Sequence, residues 1–408
     1  MKILFYRYNS ICEPDMIQAL ESFGLTVTQI TEEMTDKALT GSDRIALIRK
    51  HLDAASSSEP YLFVFSVNFF PAISEICRIY EIPYVCWSVD SPLAEIYSDS
   101  VKNATNRLFL FDRQQYTSLS SYNPEGIFHL PLCTNPQRWN SIISGITQED
   151  RSKYAADISF IGSLYTEKDP WADTLAAANV PDYLAGFTDG LTKAQLSLTG
   201  CNILEDSLTE ALASQIISCC PKKFASNEHS VINMDRYIAG QHILGMHASS
   251  LYRIRALSLL AERFPIDLYS NSPMPEEWNK APSMTEKNGI RSRGPAKTLT
   301  EMPKIFHLSR INLNMTIYPI RSGLSLRIWD VLGCGGFLLT NIQEELCDHF
   351  IPGEDLDTFS CPEELVEKCD YYLSHEDVRR RIAENGYRKV CEKHTYQNRF
   401  AEMLRHIV

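Results

Sequence analysis

The chain has 408 residues, of which 44% are hydrophobic and 10% aromatic, and this excludes a mainly disordered protein. Its length is enough for about two or three folded domains. Its 39 Lys and Arg against 51 Asp and Glu give a net charge of −12. Nucleic acid and anionic membranes are therefore not expected as partners, because binding them non-specifically needs surplus positive charge.

The amino terminus and the hydropathy of the chain favour a cytoplasmic protein without a membrane segment. The chain begins with MKILFYRYNS, a strand-like run that lacks the basic and apolar regions of a signal peptide. No run of the sequence reaches the ~18 uninterrupted apolar residues of a membrane helix. We therefore expect the 12 cysteines to lie in a reducing compartment, as small buried residues.

The first third of the chain alternates apolar runs with longer amphipathic stretches. The strand-like runs are KILFYRY, LTVTQI, YLFVFSV, YVCWSVD, NRLFLFD and GIFHLPL. This β-α-β rhythm, with nearly continuous apolar strands, predicts a doubly wound parallel sheet covered on both faces. We assign residues 1–140 to this Rossmann-like domain, and the polar residues 141–156 to a connection.

A second strand-helix series begins at ADISFIGSLY. After a helix-rich stretch it continues with the strand-like runs PIDLYSN, INLNMTI, GFLLTN and EDLDTFS. We assign residues 157–390 to a second Rossmann-like domain, with a helical insertion at about 170–263, and residues 391–408 to a terminal helix. Ligands of doubly wound sheets bind at the carboxyl ends of the strands, so the candidate residues are sought there.

The stretch TIYPIRSGLSLRIWDVLGCGGFLLTN, residues 316–341, is the best candidate for a phosphate site. A helix beginning after Gly323 would present the backbone N–H groups of Gly323, Leu324 and the next residue to an anion. Arg327, one turn on, could bind the same anion, and Asp330 could accept hydrogen bonds from sugar hydroxyls. Alternatively, Arg327 and Asp330 form an ordinary i,i+3 surface pair.

From LSRINLNMTIYPIRSGLSLRIWDVLGCGGFLLTN onward, the sequence resembles the carboxyl-terminal domain of CgeB-like (spore maturation protein type) glycosyltransferases. YLFVFSVNFFPAISEICRIYEIPYVCWSVDSP and DISFIGSLY carry similar patterns in the two domains. The resemblance implies an α/β protein of the GT-B fold, in which two Rossmann-like domains face a central cleft and the terminal helix crosses back to the first domain. It also implies a nucleotide-diphosphate sugar, most readily a UDP-sugar, as co-substrate of the second domain, without a metal or other cofactor.

The same resemblance implies further donor-binding residues in the second domain. Ser163 follows the strand of DISFIGSLY, and Gly294 and Pro295 resemble the loop beside the nucleotide base. Retaining GT-B transferases carry two glutamates eight positions apart, and here Ser322 and Asp330 stand in those places. We include Ser322 in the donor site. Because only one carboxylate is present, retention and inversion of the sugar configuration both stay open.

Two strand ends of the first domain carry candidates for the acceptor side. YLFVFSV runs into Asn68 and Phe69, and YVCWSVD ends in Asp90, which Ser91 follows. Sugar transfer to a hydroxyl needs a group that takes the proton, and a carboxylate can do so. We therefore assign Asp90 as the catalytic base and Asn68, Phe69 and Ser91 to acceptor binding. Alternatively, Asp90 caps the turn that begins at Ser91.

The expected function is therefore transfer of a sugar, of the hexosyltransferase type, to a glycan or protein of the cell surface, a flagellum or a spore coat. The alternative is a non-catalytic subunit of the same fold that binds a sugar nucleotide or a glycan. The 10 histidines lack the H-x-x-x-H spacing of a zinc site. The G-x-G-x-x-G fingerprint of a dehydrogenase is also missing from the sequence.

Overall fold

A computed structural model of the chain describes residues 1–55, 59–177, 180–220, 224, 229–276, 278 and 289–407. Contacts divide the chain into two units. The first comprises Met1–Cys133, Asn227–Ile232 and His394–Val408, and the second comprises Thr134–Ser226 and Asn233–Lys393. Each unit contains a parallel sheet of six strands, which confirms the two doubly wound α/β sheets predicted from the sequence.

The strands are numbered along the whole chain. In the first unit they are β1 Lys2–Tyr6, β2 Thr26–Ile30, β3 Tyr61–Val67, β4 Tyr84–Trp87, β5 Asn106–Leu110 and β6 Ile127–His129. In the second unit they are β7 Ala156–Ile161, β8 Pro265–Tyr269, β9 Gly289–Ser292, β10 Ser309–Asn314, β11 Leu338–Asn341 and β12 Asp357–Phe359. The sequence predicts all of these except β9, whose four residues GIRS carry a single large apolar side chain.

The helices up to residue 219 are α1 Glu13–Ser22, α2 Glu32–Thr35, α3 Gly41–Ala54, α4 Pro71–Ile79, α5 Arg113–Leu119, α6 Pro136–Ile143, α7 Gln148–Tyr154, α8 Pro170–Ala176, α9 Asp182–Leu196 and α10 Glu210–Cys219. Those that follow are α11 Met234–Tyr237, α12 Met246–Ala261, α13 Met302–Leu308, α14 Leu326–Gly333, α15 Leu346–His349, α16 Pro362–Ser374, α17 Glu376–Lys393 and α18 Tyr396–Leu404. A π-helical segment, Ile238–Gly245, joins α11 to α12.

The first sheet has the strand order β2-β1-β3-β4-β5-β6. The order reverses between β1 and β3, which pair in parallel from Lys2 opposite Tyr61 to Tyr6 opposite Ser66. In doubly wound sheets the ligand crevice lies at the carboxyl ends of the strands where the order reverses. The residues that follow β1 and β3 are therefore the first place to look for a site in this unit.

The second sheet has the order β12-β11-β10-β7-β8-β9. Here the reversal lies between β7 and β10, which pair in parallel with Phe160 opposite Leu313. Both strands are nearly free of solvent contact, because helices cover the two faces of the sheet. The loops after Ile161 and Asn314 therefore form the corresponding edge of the second unit.

The terminal helix α18 packs within the first unit. It begins with a capping box in which Thr395 accepts from the backbone N–H of Asn398 and Asn398 accepts from that of Thr395. The ring of Phe400 lies 5.8 Å from that of Phe65 on β3 and 6.1 Å from that of Trp87 on β4. Burial of this apolar face fixes the end of the chain on the first sheet.

The second unit begins earlier than the sequence suggests. Its boundary lies at Thr134, whereas we expected a connection over residues 141–156 and a domain from residue 157 onward. Helix α7 occupies much of that stretch because Thr147 and Asp150 form a capping box, with bonds of 3.1 and 3.0 Å. The charged residues there belong to an exposed helix, which composition alone does not distinguish from a loop.

The described part of the stretch 170–263 is mainly helical. It contains α8 to α12 and the π-helical segment. One short piece of it, Asn227–Ile232, groups with the first unit. There Ser230 forms an isolated β-bridge with Ser98, and the hydroxyl of Tyr122 donates to the carbonyl of Val231 at 2.8 Å.

Candidate active site

Arg253 on α12 connects the two strand ends at the order reversal of the second sheet. Its Nη1 donates to the carbonyl of Ser163 after β7 at 2.5 Å, and its Nη2 donates to that of Met315 after β10. The guanidinium lies 5.4 Å from the ring centre of Phe160 and 4.8 Å from that of Tyr165. These contacts hold a positive charge between the loops that follow β7 and β10.

The charge of Arg253 is buried without a bonded counterion. Its side chain is buried, and in the described residues it forms no ion pair and its Nε has no hydrogen-bond partner. Burial lowers the pKa of Arg253, and the positive charge of Arg327 lowers this pKa further. A buried cation is costly unless an anion accompanies it. The arrangement therefore suits an anionic ligand.

Arg327 on α14 is the second cation of this edge. Its guanidinium lies 5.4 Å from the ring centre of Phe306, and its Nη1 lies 3.0 Å from the sulfur of Met302. Burial lowers the pKa of Arg327, and the charge of Asp330 counteracts this effect. In the described part of the chain Arg327 forms no ion pair with Asp330, so the surface pair that we weighed as an alternative is not present.

Helix α14 begins two residues later than the sequence predicts. Ser325 is its N-cap, with an extended backbone, and Leu326 is its first residue. Gly323 and Leu324 therefore belong to the preceding buried loop. The backbone N–H groups that lack an intrahelical acceptor are those of Leu326 and Arg327, in place of the three that we expected. Arg327 thus brings both its amide and its guanidinium to the helix N-terminus.

Asp330 is enclosed within the second unit. Its Oδ1 accepts a hydrogen bond of 2.8 Å from the hydroxyl of Thr134, which itself accepts one of 2.7 Å from Nε1 of Trp139. A Cβ at Gly333 would lie 2.7 Å from Thr134, so glycine permits this close approach. The carboxylate is therefore fixed in place, one helical turn beyond Arg327.

Ser322 and Ser163 both make hydrogen bonds to carboxylates. Ser322 is fully buried, and its hydroxyl donates to Oε1 of Glu345 at 2.7 Å. The hydroxyl of Ser163 donates to Oε1 of Glu167 at 2.9 Å and accepts from the backbone N–H of Tyr165 at 2.8 Å. Ser163 lies at the edge beside Arg253, whereas the burial of Ser322 leaves little of its side chain for a ligand.

Gly294 and Pro295 follow the edge strand β9, two strands away from β7 in the sheet. Gly294 has a φ of +71°, a conformation that favours glycine, and the amide of Arg293 before it donates to the carbonyl of Leu268 at 2.8 Å. This hydrogen bond positions the loop at the carboxyl end of β9. It lies on the same edge of the sheet as Arg253.

Asn68 organises the corresponding edge of the first unit. It follows β3 with a φ of +57°, which asparagine tolerates better than most residues. Its Oδ1 accepts from the backbone N–H of Val89 at 2.9 Å. Its Nδ2 donates to Oδ2 of Asp90 at 2.6 Å and to the hydroxyl of Tyr8 at 2.8 Å. The ends of β1, β3 and β4 are thereby linked through one side chain.

Asp90 is exposed, and its second oxygen, Oδ1, has no hydrogen bond within the described residues. The next helical turn begins only at Glu95, so Asp90 does not cap a helix at Ser91. Burial raises the pKa of Tyr8, and the negative charge of Asp90 raises it further, so this hydroxyl stays protonated. Asp90 therefore combines a fixed orientation with a free oxygen.

A pocket of about 390 Å³ opens beside Asn68. Among the residues that line it are Tyr8, Glu33, Arg44, Phe70, Leu93 and Glu95. Arg44 donates two hydrogen bonds to Glu33, of 2.9 Å from Nε and 2.7 Å from Nη2. Burial alone would raise the pKa of Glu33, but its bonds with Arg44 and Tyr6 lower it below the ordinary value. The pocket therefore offers both charged and aromatic contacts.

The other two predicted acceptor residues differ in exposure. Phe69 is only 1% exposed, and its ring lies 5.8 Å from that of Tyr84, so it belongs mainly to the core. Its neighbour Phe70 is half-buried, and its ring lies 5.6 Å from that of Tyr8. Ser91 is half-buried directly after Asp90. Tyr8, Phe69 and Phe70 all line the pocket, and Phe70 is more exposed than Phe69.

Three residues of these sites, Arg253, Arg44 and Tyr8, are not among those predicted from the sequence. The helix MHASSLYRIRALSLLA carries only two charged residues, Arg253 and Arg255, and a charge in so weakly polar a helix was a usable signal. Tyr8 and Arg44 carry no such signal, because polar residues near strand ends and on amphipathic helices are common. Only the fold brings them beside Asn68.

Two negative findings apply to the part of the chain that the structure describes. It contains no cluster of three or more His, Cys, Asp or Glu side chains that could hold a metal ion. Nor does it contain a helix that combines the length and the apolar character needed to cross a membrane.

Comparison with known proteins identifies the fold. A family model described as glycosyl transferase-like matches residues 253–405, a segment that begins at Arg253 and includes Arg327 and Asp330. No curated protein sequence matches the chain.

Solved structures match the whole length. A glycosyltransferase from Rickettsia africae ESF-5 is 11% identical, with a TM-score of 0.51 and coverage of 100% of this chain and 97% of that one. Anabaena Alr3699/HepE in complex with UDP is 11% identical, with a TM-score of 0.52 and coverage of 99% and 100%. Sucrose-phosphate synthase from Thermosynechococcus elongatus is 9% identical, with a TM-score of 0.54 and coverage of 99% and 98%. The chain therefore has the GT-B fold of glycosyltransferases, and the glycosyl transferase-like family model matches its residues 253–405.

Proposed function

We propose that the protein is a metal-independent glycosyltransferase that moves a sugar from a nucleotide-diphosphate donor to a hydroxyl of a glycan or protein. The observation that carries this proposal is the pair Arg253 and Arg327 at the order reversal of the second sheet. In the described residues neither guanidinium is bonded to a carboxylate. Two such cations beside a helix N-terminus suit the two charges of a diphosphate.

A UDP-sugar is the donor that we favour. The Anabaena protein of similar fold has been solved with UDP and with UDP-glucose. In this chain, the N–H groups at the start of α14 and the two arginines would hold the diphosphate, and Asp330 would accept hydrogen bonds from donor hydroxyls. The loop of Gly294 and Pro295 lies farther along the same edge of the sheet, where the nucleotide base can extend.

The first unit would supply the acceptor and the base. As the acceptor oxygen bonds to the anomeric carbon of the sugar, the bond from that carbon to the diphosphate breaks and the nucleoside diphosphate leaves. The hydroxyl proton passes to Oδ1 of Asp90, whose Oδ2 is held by Asn68. The pocket beside Asn68, with Phe70 and Arg44, offers stacking and hydrogen-bonding surfaces to a sugar acceptor.

The acceptor class rests on the resemblance to CgeB-like enzymes. We infer a hexosyltransferase acting in the cytoplasm on a cell-surface, flagellar or spore-coat glycan or protein. Screening purified acceptor glycans and surface proteins with a radiolabelled UDP-hexose tests this inference. Label that enters none of these acceptors, while donor is still turned over, would contradict it.

A second candidate is a sugar-nucleotide or glycan-binding subunit without catalytic activity. Ser322 favours it, because this residue replaces the first of the two glutamates of retaining GT-B enzymes and is bonded to Glu345. A binder keeps the anion site but has no use for a base. Such a subunit would bind the nucleotide tightly without turnover, and substitution of Asp90 would not change this behaviour.

Calorimetry and donor turnover together test the proposal. The full chain is titrated with UDP, GDP, ADP and dTDP and their glucose conjugates, in the presence of a chelator. Release of the nucleoside diphosphate from the best donor is then measured with and without acceptor. A transferase binds one nucleotide class and releases it faster with acceptor present. Binding with no release under any condition supports the subunit that binds a sugar nucleotide, and absence of nucleotide binding contradicts the transferase.

A further inference from the structure

A basic pocket lies at the amino-terminal edge of the second sheet, the edge opposite to that of Arg253. Its volume is about 360 Å³, and it is formed around the starts of β10 and β11 and of helix α17. The polar residues most relevant to a ligand are Arg151, Ser309, Arg310, Glu376, Arg379 and Arg380. Four of these six carry a positive charge, in a chain whose net charge is −12.

Ion pairs account for only part of this positive charge. Arg310 pairs with Asp157 at 3.0 Å, and Arg380 pairs with Glu376. Arg151 and Arg379 have no carboxylate partner in the part of the chain that the structure describes. Two guanidinium groups of one pocket therefore have no directly bonded counterion, although the charges of Glu376 and Asp157 raise the pKa of Arg379 against the effect of its burial.

Arg379 is buried in the wall of this pocket. It is 6% exposed, and its one hydrogen bond within the described residues is a long one, of 3.3 Å, from Nη1 to the carbonyl of Tyr372. Burial lowers the pKa of Arg379, and the positive charge of Arg310 lowers it further. The other N–H groups of this guanidinium have no hydrogen-bond partner in the described residues, so they are available to an acceptor in the pocket.

Ser309 provides an independent indication of a ligand. It too is 6% exposed, and its hydroxyl has no hydrogen-bond partner in the described residues. Buried side-chain hydroxyls are almost always satisfied, so an orphan hydroxyl in a pocket wall calls for a partner. One ligand that accepts hydrogen bonds on several oxygens would satisfy both Ser309 and Arg379.

We propose that this pocket binds a phosphomonoester. A terminal phosphate presents three oxygens and up to two negative charges, which matches two guanidinium groups without a bonded counterion and one hydroxyl without a hydrogen-bond partner. The volume lies within the range of small-molecule sites, so it accommodates an organic body beyond the phosphate. This site is separate from the proposed donor site, and the inference does not depend on the proposed function.

Calorimetry of the full chain with sn-glycerol 3-phosphate, in the presence of saturating UDP, tests the proposal. We expect one molecule to bind per chain, and Arg379→Gln to weaken its affinity about tenfold or more, as loss of a charge-assisted hydrogen bond does. Ser309→Ala should weaken it by a smaller factor. Arg151→Gln, at an exposed position, gives the same test should Arg379→Gln fail to fold.

The matched control is Arg263→Gln, which removes an exposed arginine of the same unit outside the pocket. It should bind the ester like the natural protein. Vesicles of phosphatidylcholine with phosphatidic acid, assayed by flotation, distinguish a lipid headgroup from a soluble ester as the source of the phosphate. Vesicle binding that Arg379→Gln abolishes supports the site and assigns the lipid source. Absence of binding to both probes, or binding that neither Arg379→Gln nor Arg151→Gln changes, would overturn the proposal.

Discussion

Asn68 donates a hydrogen bond of 2.6 Å from Nδ2 to Oδ2 of Asp90. The same amide accepts from the backbone N–H of Val89 at 2.9 Å, so its orientation is fixed from both ends. Oδ1 of Asp90 remains unbonded in the described part of the chain. The carboxylate is thus held with one oxygen available, which is the geometry that a general base requires.

Replacing Asp90 with asparagine should lower turnover without lowering donor affinity. The proton of the acceptor hydroxyl is transferred only in the transition state, so loss of the base costs about 10²- to 10⁴-fold in kcat. Calorimetry of the donor and initial rates of transfer, measured on the same preparation, check both parts of the prediction. Turnover within a few-fold of the natural protein would assign Asp90 to acceptor binding and favour a mechanism in which the donor phosphate takes the proton.

Asp99→Asn is the control for this change. Asp99 belongs to the same unit, and its side chain pairs with Lys102 at the surface. Exposed pairs contribute little to stability, so this variant should match the natural protein in melting temperature, donor affinity and turnover.

Arg253→Gln and Arg327→Gln should each weaken donor binding by about 1.5 to 3 kcal/mol, the contribution of one charge-assisted hydrogen bond. Arg253→Gln should also lower the melting temperature, because Arg253 bonds the loops after β7 and β10. Calorimetry with UDP and circular dichroism melts separate the two effects. A folded Arg327→Gln variant with unchanged UDP affinity would remove this residue from the donor site, and Arg263→Gln again serves as the matched control.

Variants of Thr134 and Asp330 distinguish a structural role of the Asp330 carboxylate from a role in donor binding. Thr134→Val removes the hydroxyl bonded to Asp330 and should cost about 1 to 3 kcal/mol of folding free energy, with less than a tenfold loss of donor affinity. Asp330→Asn should weaken donor binding more strongly, because one carboxylate oxygen becomes an amide donor. Chemical denaturation and calorimetry measure the two quantities. Natural donor affinity in Asp330→Asn would show that this carboxylate serves the fold alone.

The stability of the second unit should depend on Glu301 at low pH. The hydroxyl of Tyr154, which bonds this carboxylate at 2.7 Å, and the amide of Lys297 lower the pKa of Glu301 from 4.5 to about 2. A pKa that is lower in the folded state gives stability that is complete above pH 4.5 and is lost as the pH falls to about 2. The stability difference between the natural protein and Tyr154→Phe should therefore shrink over that interval.

Tyr183→Phe is the control for the pH dependence. The hydroxyl of Tyr183 donates to the neutral side chain of Gln215 at 2.5 Å, so its loss should cost the same at every pH. Denaturation curves at several pH values between 2 and 7 compare the two variants. A difference for Tyr154→Phe that is constant over this range would contradict the role of Glu301.

The apolar runs of the sequence predict both sheets and nearly all of their strands. Parallel strands that are buried on both faces must be almost wholly apolar. Runs such as YLFVFSV and NRLFLFD can therefore be recognised as strands from the local sequence alone. Polar residues that directly follow such runs, such as Asn68 and Asp90, could likewise be placed at strand ends. The exposed edge strand β9 was not predicted, because it buries too little side-chain surface to require an apolar run.

The tertiary structure alone decided which of these residues meet. Arg253 is 74 residues away from Arg327 in the chain, and only the path of α12 against β7 and β10 brings its guanidinium to the same edge. Asp330 was expected to face a ligand from an open helix, but Thr134 and Trp139 pack against that helix from a distant segment. Hydrogen bonds and burial depend on such long-range neighbours, which local periodicity does not encode. The sequence therefore predicts which residues follow the strands, and packing determines which of their side chains can contact a ligand.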